Sequence, residues 1–135
     1  MPALSVLLVR TALAWLVVGS AAGALLLAAK AAPPPAGVTR LFHLHVEALL
    51  IGWMVQLAMG VAWWILPKYP TGPERGPAAP IVAVWALLNA GVLLAGVARS
   101  AGGTDQLLVA ARAGELLAAM LFLAAVWPRV KAFGR

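Results

Sequence analysis

The chain has 135 residues, 64% of them hydrophobic and 10% charged, with a formal net charge of +6. Soluble domains sit nearer half apolar and a quarter charged, so this composition excludes an ordinary water-soluble fold. The absence of cysteine removes disulfides and thiol chemistry, and the basic residues form no clustered face of the kind that binds nucleic acid.

The apolar residues are gathered into four blocks. A bilayer core about 30 Å thick needs roughly 20 apolar residues per helical span, and residues 4–29, 41–66, 78–98 and 106–127 all reach that length. These runs, rich in Ala, Leu and Gly, lack the alternating ~10-residue pattern of a membrane barrel. The expectation is one all-α domain, an up-down four-helix bundle integral to a lipid bilayer.

The first block contains Arg10 and then nineteen uncharged residues from Thr11 to Ala29. A secretory signal core is about 7–15 residues long, so the block reads as a span and not as a cleaved leader. It carries the small-residue patch Gly19-Ser20-Ala21-Ala22-Gly23, which suits close helix packing within the bundle or between subunits. The proline run "AAPPPAG" at 31–37 then forbids helix continuation.

The second block opens with an unusual stretch, "HLHVEALLIGWMVQLAMGVAWWILP", holding both histidines of the chain and Glu47. At about 100° per residue, His43 and His45 point some 160° apart, too far to chelate one ion from a regular helix. His43 shares a face with Glu47 and Met54. His45 leads a second stripe through Gly52, Gln56, Met59 and Trp63, and Gly52 leaves room there for a porphyrin or for a neighbouring helix. An interfacial histidine is ordinarily a hydrogen-bonded structural residue, and the methionines are ordinarily packing; both readings stand beside the ligand reading. Trp63 and Trp64 read as an interfacial belt.

The loop "PKYPTGPERGPAAP" at 67–80 leads to an uncharged third block with Asn89, which can hydrogen-bond Gln56 across helices two and three. Gly91 and Gly96 again suit close packing. Thr104 or Asp105 can cap the fourth helix, which carries Arg112 and Glu115 at i,i+3, simplest as an internal ion pair. At 1.5 Å per residue, Glu47 and Glu115 lie at similar depth, so Glu47, Arg112 and Glu115 form a candidate polar pocket. Trp127-Pro128-Arg129 ends the helix with a basic flank. Arg10, Lys68, Arg75, Arg129, Lys131 and Arg135 lie to one side, and Lys30, Arg40, Arg99 and Arg112 to the other. This six-to-four bias places both termini in the cytoplasm.

"RLFHLH…MGVAWWILP" resembles the second transmembrane helix of subunit I in haem-copper oxidases, especially the nitric oxide reductase and cbb3-type branch. The whole chain is similar to small four-span subunit I-like proteins, through His43, His45, Gly52, Trp53, Gln56, Gly60, Pro67, Asn89-Ala90-Gly91 and Trp127-Pro128-Arg129-Val130. The resemblance implies a bacterial inner-membrane protein binding haem b, with His45 as axial ligand, His43 nearby or as a second ligand, and Gly52, Gln56 and Met59 along the same stripe. It implies electron transfer or binding of oxygen or nitric oxide, a homo-oligomer, and a respiratory complex or electron donor as partner. Met54, Met59, Met120 or a second copy's histidine would supply a sixth ligand, or the position stays open. The oxidases need several more histidines than the two present, so one copy cannot build their complete reducing centre, and catalysis is left open. A different class of reading is copper or zinc held by His43, His45 and Glu47; another is a cofactor-free accessory subunit of a respiratory complex.

Overall fold

The computed structural model describes residues 1–31 and 37–130, so the proline run at 33–35 and the basic residues Lys131 and Arg135 lie outside the described residues. Helix α1 runs Ala3–Ala28. The second span is continuous but not uniform: a 3-10 turn Val38–Arg40, α2 Leu41–Glu47, a π-helical segment Ala48–Val55, and α3 Gln56–Ile65. Helix α4 covers Ala79–Ser100, and α5 covers Asp105–Val126 with a closing 3-10 turn Trp127–Arg129. The four stretches Ala3–Ala28, Val38–Ile65, Ala79–Ser100 and Asp105–Arg129 are each long and apolar enough to cross a membrane. Among the described residues there is no strand.

Local chemistry sets the ends. Leu66 is extended at ψ 145°, the conformation a following proline favours, and α3 stops there. Helix α4 ends in a left-handed Gly102 at φ 73°. The Gly103 N–H then reaches back to the Ala98 carbonyl at 2.8 Å, a glycine-dependent helix stop. Thr104 caps α5, its hydroxyl accepting the Leu107 N–H at 3.3 Å, with Asp105 in the first turn where the helix dipole favours a negative charge.

Helix α5 lies along α4, the second span lies along α1, and α4 joins the two pairs. Their shared core comprises Leu8, Met59, Trp63, Ile81, Val84, Leu88, Ala118, Phe122 and Val126. Outside it, α1 and α5 leave Leu13, Val17, Leu25, Leu116, Met120 and Leu123 exposed. Such a surface is costly in water and costs nothing against lipid tails, which are as apolar as leucine.

Polar groups inside this apolar bundle must find partners within it. Thr11 does so completely. Its hydroxyl donates to the Leu7 carbonyl at 2.9 Å and accepts from Gln56 Nε2 of α3 and, at 3.3 Å, from Trp85 Nε1 of α4. One donor and two acceptor positions are all a hydroxyl has. One turn further, Trp15 Nε1 donates to Asn89 Oδ1 at 2.7 Å, and Asn89 Nδ2 donates to the Trp85 carbonyl at 2.8 Å. Gln56 and Asn89 therefore bond not to one another but each to α1, which supplies side chains on the level of both. Ser5 adds a bond to the Gly60 carbonyl, where the two helices come close.

At the end holding the N-terminus and residues 67–78, Arg129 is 1% exposed. Its Nε donates to the Pro67 carbonyl at 3.0 Å, and one terminal nitrogen donates to the carbonyls of Trp63 at 3.1 Å and Leu66 at 2.8 Å. The guanidinium also stacks 4.7 Å from the centroid of the Trp63 ring. A residue that the sequence places among flanking cations is thus the cap of α3, satisfying carbonyls the helix end leaves bare. Arg129→Ala is expected to lower stability by about 1.5–3 kcal/mol, the scale of charged hydrogen bonds. Thermal unfolding in detergent measures this, and Arg129→Lys should recover only part of it, since an ammonium lacks the planar fork.

Candidate functional site

Two constellations hold the polar residues at the far end of the bundle, where Ser100 donates to the Arg40 carbonyl at 3.1 Å. The first surrounds the histidines. Helix α2 leaves His43 exposed and half-buries His45 against α1. His45 Nδ1 lies 2.8 Å from the Gly19 carbonyl oxygen. A carbonyl only accepts, so Nδ1 carries a ring proton, and in the neutral ring the lone pair then lies on Nε2. A Cβ at Gly23 would fall 2.6 Å from His45 Cε1, so the ring occupies space that only glycine leaves on α1.

Beside it opens a cavity of about 620 Å³, lined by Gly23, Leu26, Leu27, Ala29 and Lys30 of the α1 end and by Val38, Thr39, Phe42, His43 and His45. Both histidines border this one space despite their divergent directions on α2, with His43 set edge-on to Phe42 at 5.9 Å between centroids.

The stripe expected to run on from His45 does not continue as one face. The Gln56 N–H reaches the Ile51 carbonyl, five residues back, and this wider turn changes the phase between α2 and α3. Gly52 is notched against Trp15, whose Cγ would lie 2.6 Å from an added Cβ, so a neighbouring helix fills that room. Gln56 is buried, donating to the Leu8 carbonyl at 3.2 Å and to Thr11. Met59 is buried in the shared core, while Met54 and Met120 are exposed. None of these residues lines the histidine cavity.

The second constellation is ionic. Arg112 of α5 grips Glu47 of α2 with both terminal nitrogens, at 2.7 Å and 2.6 Å, and donates to Glu115 at 2.7 Å. The two carboxylates are buried, with side chains 7% and 9% exposed, whereas that of Arg112 is 50% exposed. Gly91 of α4 makes space for Glu115: a Cβ there would lie 2.6 Å from Glu115 Cγ. Glu47 is thereby turned toward α5, and its two oxygens are both engaged by Arg112. Among the described residues no three His, Asp or Glu side chains stand close enough together to hold a metal ion.

No family model, characterised protein or solved structure matches this chain. Arg112→Leu strips two buried carboxylates of their cation and should lower stability by about 2 kcal/mol. That is the cost of breaking a buried pair, reduced because Arg112 is half exposed. The double variant Arg112→Leu/Glu47→Gln should be more stable than Arg112→Leu alone, as read by unfolding midpoints in one detergent.

Proposed function

We propose that the chain is a four-span integral membrane protein that binds haem b in the cavity between the end of α1 and the start of the second span. One observation carries this reading: an imidazole whose Nδ1 lies 2.8 Å from a backbone carbonyl, an arrangement that turns Nε2 to ligation, bordering a cavity of cofactor size. Metal-ligating histidines ordinarily donate their other ring N–H to a carbonyl or carboxylate, which fixes the tautomer and the ring plane. A volume of about 620 Å³ falls within the roughly 300–1,000 Å³ of small-molecule sites.

The chain's own residues fit such a group. His45 Nε2 would be the axial ligand, Leu26, Leu27 and Phe42 an apolar wall, and Lys30 a cation for the carboxylates at the haem edge. Bound haem would supply one-electron transfer or an iron site for oxygen or nitric oxide. Gly19 and Gly23 act as positioning residues, the first by its carbonyl and the second by its missing side chain. His43 borders the cavity two residues away on the same helix, so it does not face His45 across a flat group; a sixth ligand would come from a second copy or stay absent. The charge bias puts both termini in the cytoplasm and the cavity toward the outside of a bacterial inner membrane. A respiratory electron donor as partner follows from the sequence resemblance.

The visible spectrum of the purified protein, with haem added back, tests this. A Soret band is expected that His45→Ala abolishes and His43→Ala retains. Gly23→Ala, which drives a methyl into the imidazole, should weaken haem binding roughly tenfold, the scale of an outer-shell change. A protein that stays colourless after haem addition, or a Soret band indifferent to His45→Ala, overturns the reading; stoichiometric copper or zinc in a colourless protein replaces it with the metal-binding one.

A further inference from the structure

The haem reading makes no use of the ionic cluster, and the cluster is unbalanced. Two carboxylates share one guanidinium. Glu47 has both oxygens engaged, and Glu115 has one, Oε2. The other oxygen of Glu115, Oε1, is buried and has no hydrogen-bond partner, in a side chain only 9% exposed. It sits over the bare Cα of Gly91: a Cβ built there would be 3.2 Å from Oε1 and 3.1 Å from the Ala111 carbonyl oxygen.

With every group ionised, the cluster keeps one net negative charge among apolar helices and points it at an oxygen that nothing satisfies. An uncompensated buried charge and an unpaired buried acceptor are each costly. One proton on Oε1 removes both costs, since a protonated carboxyl is neutral and becomes a donor, with the Ala111 carbonyl bordering the same space. We propose that Glu115 is a reversible proton-binding site, taking one proton on Oε1 while Glu47 and Arg112 remain an ionised pair. An O–H bond forms, and the cluster passes from one negative charge to none.

The surrounding charges suit that exchange. Helix α5 presents Arg112, and the second span presents Glu47, with His45 turned away to Gly19 of α1. Helix α4 presents the backbone at Gly91; its one charged residue, Arg99, is exposed near the helix end. The one charged residue of α1, Arg10, is exposed in the opposite half of that helix from Gly19 and Gly23.

Infrared difference spectroscopy of the full chain, purified and before any haem is added, reads this directly. The chain has only four Asp and Glu residues, and two of them, Glu74 and Asp105, are exposed. At neutral pH one protonated-carboxyl stretch is expected. It should shift in heavy water, bleach at alkaline pH and be lost in Glu115→Gln. Glu47→Gln should abolish the same band, because Arg112 then has Glu115 as its single counter-ion and holds it ionised. Glu74→Gln and Asp105→Asn should leave the band in place. A wild-type protein without the band, or a band that survives either Glu115→Gln or Glu47→Gln, overturns the proposal. If Glu115→Gln does not fold, Glu115→Asp should move the band to a different frequency, and a band left where it was overturns the proposal.

Discussion

The Arg112 guanidinium is the point on which this architecture turns. Helix α5 packs chiefly along α4 and meets the rest of the bundle through the shared core and two arginines. Near its start, Arg112 reaches the second span and holds Glu47 with two parallel hydrogen bonds. At its finish, Arg129 reaches the same span and holds three backbone carbonyls. Two arginines on one helix thus clip both ends of another, one through a carboxylate and one through bare helix carbonyls. In hydrocarbon, apolar packing alone gives no strong preference for one helix neighbour over another. Directional, charge-assisted bonds do.

Much of the frame was legible in the sequence because its signals are local. Four apolar blocks, a glycine pair after Arg99 and a threonine before an apolar run mark four helices and their ends without reference to anything distant. The depth count that set Glu47 beside Glu115 needed only the rise of a helix, and the structure joins the two through Arg112.

What escaped the sequence depends on phase and on partners. A helical face follows from sequence only while the angle per residue is constant, and the π-helical segment Ala48–Val55 breaks that constancy between His45 and Gln56. Periodicity therefore assigned Gly52, Gln56 and Met59 to the histidine's face, whereas Trp15, Thr11 and the shared core take them. Thr11 and Trp15 carry no pattern of their own in the sequence, being a lone threonine and a tryptophan inside an apolar run. Their i,i+4 spacing on α1 was the one available hint. Arg129 looked like a surface cation because proline and a chain end follow the usual grammar of a helix boundary; its burial is a property of the α3 end it meets.

The glycines of α1 have a mechanical meaning beyond the room they make. Gly19 offers a carbonyl to His45, Gly23 admits its ring, Thr11 and Trp15 bond to α3 and α4, and Ser5 bonds to Gly60. These contacts are spread along almost the whole helix, the last four at intervals of one turn but each made by a different kind of group. Sliding α1 by one turn, about 5.4 Å, would bring one glycine to the place of the other but set Trp15 or Leu7 before Gln56 and Gly19 or Thr11 before Asn89, so the set as a whole is lost. The helix is keyed to a single register, so any motion that opens the histidine cavity must tilt or bend α1 at that end and cannot be a piston stroke along its axis.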